Sequence, residues 1–199
     1  MQLDSSKMDQ ILLAFLARYV TLSEEEKNVI TDLAIFKSFR KGTILLKEGQ
    51  ITRDGYFVIQ GCLRCYYMVD AEEKTTAFYT ESESLTPPGA LTGKPSEYYV
   101  SCLEDCILTV GSSETDDELF SKYPNLEKLC RTLSEDLHSK SQVAFDSFKI
   151  STPEQRYLNF LETRPDLAQR VPQYYLASFL GITPPSLSRM RKRLVRKAS

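Results

Sequence analysis

The residues of this sequence that are best suited to a chemical task form a dense polar and basic group near its C-terminal end. The members of this group are Thr183, Ser186, Ser188, Arg189, Arg191, Lys192, Arg193 and Arg196. Hydroxyl, guanidinium and ammonium groups donate hydrogen bonds to phosphate oxygens and to the edges of bases. The group therefore predicts recognition of a polyanion, which requires no bond to be made or broken.

Two other sets of residues could catalyse a reaction or hold a metal. His138 is the only histidine, and no cysteine or aspartate accompanies it at catalytic spacing. Cys62 and Cys65 form a C-x-x-C pair, but positions i and i+3 of a strand point to opposite faces. Cys102 and Cys106 have the wrong spacing and are expected on another strand. We therefore expect all five cysteines to be buried and structural, with no metal, no cofactor and no enzymatic activity.

The charge of the chain is divided unevenly. Residues 151–199 carry 9 basic and 3 acidic side chains, whereas residues 1–150 carry 16 and 24. This split predicts a polyanionic partner for the C-terminal segment alone. No apolar run reaches the roughly 18 residues of a membrane span, and no signal-peptide pattern is present. These features predict a cytoplasmic protein that does not enter a membrane.

The C-terminal elements that must position the basic group are two short helices. Pro172 begins the first, Gly181 ends it as glycine does just past a helix, and Ile182 fills the turn. Thr183 then caps a helix over residues 183–197, with Pro184 at its first helical position. The inner face of that helix consists of Leu187, Met190 and Leu194. The pattern predicts a helix-turn-helix; a solvent-exposed basic helix is the simpler alternative.

The rest of the chain predicts an α+β protein. An apolar stripe predicts a helix over residues 8–19, and a capping box of Ser23 and Glu26 begins a second helix that runs to about Phe36. From about residue 39 to 111, β-branched and aromatic residues alternate with glycines, which predicts a β-roll (jelly roll). Gly42, Gly49, Gly55 and Gly61 recur every six or seven residues and are expected at its tight turns.

A long helix is predicted from residue 116 to about 148. It carries two apolar ladders of seven-residue spacing, Leu119–Leu126–Leu133 and Tyr123–Cys130–Leu137. Such a seam packs either on the chain's own β-roll or on a second copy, and its narrow, long form favours a homodimer. The predicted domains are residues 1–115, the β-roll sensor; 116–150, the dimerisation helix; and 151–199, the helix-turn-helix, with a hinge near 148–153.

The motifs RVPQYYLASFLGITPPSLSR and KGTILLKEGQITRDGYFVIQGCLRCYY resemble the Crp–Fnr regulators, the catabolite-activator family, and in particular their short, wingless Bacteroidetes-type variants. The resemblance implies a cyclic-nucleotide-binding-like β-roll and a homodimer that reads a two-fold symmetric operator in double-stranded DNA. It also implies that Arg189 reads guanine and that Gln173 and Ser188 contact phosphates. A small-molecule effector and RNA polymerase are further candidate partners.

The chain departs from the family at three places. Pro184 and Pro185 replace residues that often read bases, and Ser186 is the candidate to take over part of that work. Too few residues follow Leu194 for a β-hairpin wing, so Arg191, Arg193, Arg196 and Lys197 are expected to replace its phosphate contacts. Ser96 and Glu97 stand where the family places Arg-Ser to bind a cyclic phosphate.

A carboxylate within a phosphate site repels its ligand, so the resemblance does not extend to cyclic AMP in the usual way. The effector-binding residues remain unknown from the sequence. The alternative function is an effector-sensing β-roll protein whose basic C-terminal helix contacts an acidic protein partner.

Overall fold

The computed structural model describes residues 4–112 and 117–198. Helix α1 (Ser5–Leu16) begins at Asp4, whose carboxylate accepts the N–H of Lys7 at 2.8 Å. Its buried face carries Leu12, Phe15 and Leu16. The apolar stripe that predicts a helix in this region is therefore the face that packs against the core.

Helix α2 (Glu24–Leu33) begins with the predicted capping box. The Ser23 hydroxyl accepts the Glu26 N–H at 3.2 Å, and the Glu26 carboxylate accepts the Ser23 N–H at 2.8 Å. The predicted continuation to about Phe36 is wrong, because β1 (Ile35–Phe39) already pairs with another strand there. Backbone pairing in a sheet has overridden a weak helical pattern.

Two four-stranded sheets follow. One has the strand order β1-β8-β3-β6 and the other β2-β7-β4-β5. The remaining strands are β2 (Ile44–Leu46), β3 (Asp54–Gln60), β4 (Leu63–Val69), β5 (Glu72–Tyr79), β6 (Ser84–Leu85), β7 (Tyr99–Cys102) and β8 (Cys106–Ser112). A short helix, α3 (Pro88–Thr92), lies between β6 and β7. The pairing of β3 with β6 and β8 is antiparallel, and the predicted β-roll is present.

Gly61 shows why glycine is needed at a corner of the roll. Its φ is +105°, and a Cβ atom there would lie 2.6 Å from Cys106 Sγ and 2.8 Å from the Asp105 carbonyl oxygen. The similar expectation for Gly55 is wrong, because this residue lies within β3, opposite Gly111 of β8. Regular glycine spacing alone does not distinguish a turn from a close approach of two strands.

The predicted long helix is interrupted. It consists of α4 (Asp117–Lys122) and α5 (Pro124–Ile150); the predicted start at Asp116 lies outside the described residues. Pro124 causes the break, since proline provides no backbone N–H and its ring clashes with the preceding turn. It occupies the first position of α5, where its missing N–H costs nothing.

The two apolar ladders are buried in their first part and largely exposed in their second. Tyr123, Leu126 and the neighbouring Leu129 are buried in a cluster with Phe15 and Phe57, against which Leu119 and Leu133 also pack. The part of the seam from Leu119 to Leu133 therefore packs on its own chain. This corrects the prediction that the whole seam faces a second copy of the chain. The part after Leu133 is largely exposed, including Phe148, and Cys130 is exposed as well.

Helices α6 (Pro153–Thr163), α7 (Leu167–Arg170), α8 (Gln173–Phe179) and α9 (Pro184–Ala198) complete the chain. Contacts between residues define two compact units, one of residues up to Arg64 together with Phe78–Ser139, and one of Cys65–Ala77 together with the residues from Lys140 onward. The predicted domain boundaries remain predictions. Within the described ranges, no helix is long and apolar enough to cross a membrane.

Candidate nucleic-acid interface

The turn between α8 and α9 is a Schellman motif. The Gly181 N–H donates to the Ser178 carbonyl at 3.0 Å, and the Ile182 N–H donates to the Ala177 carbonyl at 3.0 Å. Gly181 has φ +71°, a left-handed conformation that suits glycine. Ala177 is completely buried, which allows the two helices to approach closely.

Thr183 caps the N-terminal end of α9, as predicted. Its hydroxyl oxygen accepts the Ser186 N–H at 3.4 Å, and its carbonyl accepts the Leu187 N–H at 3.0 Å. Leu187 and Met190 are buried at 1% and 7% exposure. These two residues fix which side of α9 packs against the rest of the second unit, and therefore which side faces outward.

The outward side of α9 carries one row of residues, namely Pro185, Arg189, Lys192 and Arg196, all of them exposed. Their spacing of i, i+4, i+7 and i+11 places them on one stripe of a helix with 3.6 residues per turn. Ser188 is also exposed, beside this stripe. We call Pro185, Arg189, Lys192 and Arg196 the outer row. Three of its members are basic, and the first is apolar.

Two further arginines flank the outer row, and neighbouring helices hold both of them. Arg191 Nη1 donates to Gln173 Oε1, at the start of α8, at 2.5 Å. Arg193 forms an ion pair with Glu154 of α6. The structure thus brings Gln173 and Arg191 together as one polar group, whereas Arg193 has an acidic partner that partly neutralises it.

Ser186 lies between Thr183 and Arg189. The Thr183 and Ser186 hydroxyl oxygens are 2.9 Å apart, and Arg189 Nη2 donates to Ser186 Oγ at 3.2 Å. The hydroxyl of Ser186 is half-buried and already has two partners. It orients the guanidinium of Arg189 on the outer row.

Arg156 of α6 is important in this unit, and nothing in the sequence singled it out. Its Nη1 donates to the carbonyls of Phe148 (3.0 Å) and Ser151 (2.9 Å), and its Nε donates to the Leu180 carbonyl (3.1 Å). One side chain thus ties the end of α5 and the α5–α6 turn to the end of α8. The predicted hinge near residues 148–153 is bridged by this arginine.

A second unforeseen contact joins α8 to β5. Ser178 Oγ accepts the Thr75 N–H at 2.9 Å and lies 3.3 Å from the Glu73 carbonyl oxygen, to which it donates. One hydroxyl therefore satisfies a donor and an acceptor of β5, the outermost strand of its sheet. Residues 65–77 of β4 and β5 belong to the same compact unit as α8.

The positions predicted to replace a phosphate-binding Arg-Ser pair are not arranged as a phosphate site. Ser96 is buried at 7% exposure, and its hydroxyl donates to the Tyr98 carbonyl at 2.8 Å. Glu97 and Lys94 are exposed. On β4, Arg64 is only 1% exposed, a buried cation in the roll that no sequence pattern indicated.

Three thiols lie close together at one corner of the roll, although their positions along the chain do not suggest it. Cys106 Sγ is 3.6 Å from the Cys62 carbonyl oxygen, and a hydrogen bond from Cys102 to Cys106, together with burial, raises the pKa of Cys102. Cys65 is buried as predicted, but Cys130 is exposed, which corrects that prediction. In the part of the chain that the structure describes, no group of three or more His, Cys, Asp or Glu residues could hold a metal.

Comparison with known proteins agrees with this architecture. Residues 36–123 match the family model of the cyclic nucleotide-binding domain. No curated protein matches the sequence. The matched segment spans the β-roll and α4, so residues 36–123 resemble a cyclic nucleotide-binding domain in sequence and have its β-roll fold.

Several solved structures share the fold. FixK2 from Bradyrhizobium japonicum is 18% identical, covering 83% of this chain and 86% of its own, with a TM-score of 0.66. A CooA mutant from Carboxydothermus hydrogenoformans is 16% identical, covering 88% and 82%, with a TM-score of 0.66. The catabolite activator protein of Thermus thermophilus is 16% identical, covering 92% and 88%, with a TM-score of 0.54. Crp–Fnr regulators are thus among the structural neighbours of this chain.

Proposed function

We propose that this protein is a homodimeric, DNA-binding transcription regulator of the Crp–Fnr type and not an enzyme. In this proposal α8 and α9 form a helix-turn-helix, and α9 enters the major groove. The observation that carries the proposal is the outer row, a stripe of exposed basic side chains on a helix whose opposite face is buried. A recognition helix requires this division, because one face must hold the helix while the other meets the bases.

The residues around the outer row have distinct tasks in this complex. Arg189, oriented by Ser186, presents two parallel donors to the O6 and N7 atoms of a guanine. Lys192, Arg196 and the Gln173–Arg191 pair contact phosphates. Ser188 lies beside the stripe within reach of the backbone. Arg193 contributes less than predicted, because Glu154 already neutralises its charge.

The second copy of the chain is proposed to pack on α5. The ladder Cys130–Leu137–Ala144 continues to Phe148, and Cys130, Ala144 and Phe148 are exposed in the single chain. Val143 and Phe145 are 66% and 56% exposed. Apolar side chains so exposed along one helix are typical of an interface.

The dimer is tested with a short bis-maleimide that links only neighbouring thiols. Cys130 is the exposed cysteine among the described residues, and two-fold related helices that use this ladder place the two Cys130 side chains opposite each other. Desolvation raises the pKa of Cys130, so the reaction is run at mildly alkaline pH. We expect a covalent dimer that disappears in Cys130→Ser and persists in Cys65→Ser. A monomeric mass by light scattering at micromolar concentration would contradict the dimer.

DNA binding is tested by selecting duplexes from a random pool with the purified protein at two salt concentrations. We expect a two-fold symmetric sequence with half-sites about 34 Å apart. About six phosphate contacts per dimer predict an affinity that falls roughly a thousandfold between 50 and 200 mM salt. If no duplex is retained at either concentration, the basic helix has a different partner, such as an acidic protein.

The effector of the β-roll is proposed not to be cyclic AMP. Where the family resemblance implies an Arg-Ser pair for a cyclic phosphate, this chain has Ser96, whose hydroxyl donates to the Tyr98 carbonyl, and Glu97, whose carboxylate would repel a phosphate. Addition of millimolar cyclic AMP or cyclic GMP is expected to leave the thermal unfolding midpoint unchanged. A rise of several degrees would show that another cation of the roll, such as Arg64, binds the phosphate.

A further inference from the structure

The outer row begins with a residue that cannot donate or accept a hydrogen bond through its side chain. Pro185 is exposed, and Arg189 follows it one helical turn later on the same stripe. The rise of 1.5 Å per residue separates the two by about 6 Å along the helix axis. Because base pairs are stacked about 3.4 Å apart, the two side chains lie within one or two base pairs of each other when α9 is in a groove.

The neighbouring proline has a different position. Pro184 precedes Arg191 by seven residues and therefore lies on the same side of α9 as Arg191, the side that α8 holds through Gln173. It stands roughly 100° around the helix from Pro185. The two prolines are alike in chemistry, but only Pro185 lies on the outer row.

Ser186 is a poor replacement for the missing donor, because it is already engaged within α9. Its hydroxyl interacts with Thr183 at 2.9 Å and accepts from Arg189 at 3.2 Å. These two partners leave a base at most one of the three hydrogen-bonding positions of the hydroxyl. Ser186 is therefore a positioning residue for Arg189, and the first turn of α9 presents an apolar ring to the groove.

We propose that Pro185 recognises the C5 methyl group of a thymine, one or two base pairs from the guanine that Arg189 reads. This inference rests on the proposed function. Among the four base pairs, only those containing thymine present an apolar group in the major groove, and apolar side chains contact it. A proline ring has little freedom to lose on binding, so the contact is made by a preformed surface.

The test begins with the duplex recovered from the random pool. Each thymine of the half-site is replaced in turn by deoxyuridine, which keeps every hydrogen-bonding group and lacks only the methyl. We expect one position per half-site at which this change weakens binding about fourfold, or ~0.8 kcal/mol, the value of one buried methyl or methylene group. At that position, replacement of T·A by C·G is expected to weaken binding further, and 5-methylcytosine to restore part of the loss.

Pro185→Ser should bind the thymine and deoxyuridine duplexes equally, because the apolar ring is gone. Pro184→Ser, the matched control, should keep the fourfold preference. If deoxyuridine weakens wild-type binding at no position, or if Pro185→Ser keeps the preference, the inference is wrong although DNA binding stands. If the pool yields no duplex, the proposed function itself fails, and the inference fails with it. The deoxyuridine comparison uses only wild-type protein, so a folding defect in a variant cannot obscure it.

Discussion

The guanidinium of Arg156 lies 4.1 Å from the centre of the Phe148 ring and also donates a hydrogen bond to the Phe148 carbonyl at 3.0 Å. The same side chain therefore holds the last turn of α5 through its ring and through its backbone. Its bond to the Leu180 carbonyl places a cation at the C-terminal end of α8 as well. Carbonyls at helix ends lack partners within the helix, and a cation near them is stabilising.

We predict that Arg156→Ala lowers the free energy of unfolding by ~2–3 kcal/mol, because hydrogen bonds to charged groups contribute more than neutral ones. Arg156→Lys should recover only a fraction, since an ammonium group does not have the geometry of the guanidinium fork. Denaturant unfolding followed by circular dichroism measures both. The control is Arg170→Ala, which removes an exposed ion pair with Asp166 and should cost less than 1 kcal/mol. Equal losses of unfolding free energy in Arg156→Ala and Arg170→Ala would contradict the bridging role of Arg156.

Gly181→Ala should destabilise the protein by about 1–2 kcal/mol. The reason is conformational, because φ is +71° and an L residue with a side chain is strained there. The added Cβ would also lie 3.4 Å from the Phe148 ring. Gly181→Asn should cost less, since asparagine tolerates this conformation better than alanine. The measurement is the thermal unfolding midpoint of the two variants, and an alanine variant that is as stable as the asparagine variant would be inconsistent with the turn.

Arg189→Ala and Lys192→Ala should weaken DNA binding in different ways. The first is expected to cost ~1–3 kcal/mol on the selected duplex and to relax the preference at one base pair. The second should weaken binding to every duplex alike and reduce the slope of log affinity against log salt by about 1. Fluorescence anisotropy with specific and scrambled duplexes distinguishes them. Unchanged sequence preference in Arg189→Ala would contradict the docking of α9 proposed here.

The stability of the β-roll should decrease at high pH. Burial, with a contribution from Asp54, raises the pKa of Tyr56 to about 12, whereas an unfolded tyrosine titrates near 10. The group therefore contributes its full stability below pH 10, and this contribution is lost as the pH rises towards 12, because only the unfolded state releases its proton in that window. Denaturation midpoints at pH 9 and pH 11 measure the loss, which should be smaller in Tyr56→Phe. An equal loss in the variant would assign it to other groups.

Structural features that depend on residues three or four positions apart could be predicted from the sequence. The capping box of Ser23 and Glu26, the proline start of α9 and the turn at Gly181 depend only on near neighbours, and each lies where it was predicted. The proline break before α5 belongs to the same class. Pro124 predicts such a break through its missing N–H, whereas the seven-residue ladder that spans it predicts an unbroken helix.

Features that depend on partners far away along the chain could not be predicted from the sequence. Arg156 bonds to a carbonyl 24 residues away, and Ser178 bonds to a strand 103 residues away. The proximity of Cys62 and Cys106 arises from the pairing of strands, which C-x-x-C spacing does not describe. The seven-residue spacing predicts one continuous seam, but its first half packs on α1, because the fold brings the N-terminal helix to it.

The separation of the two faces of α9 has an evolutionary consequence. Leu187, Met190 and Gly181 maintain the shape of the unit, whereas Pro185 and Arg189 are exposed and contribute little to the core. Mutations on the outer row can therefore accumulate without unfolding the protein. Under the proposed function, a gene duplicate could acquire a new set of target promoters by changing a few codons, and a library randomised at the outer row alone should yield stable proteins with altered DNA preferences.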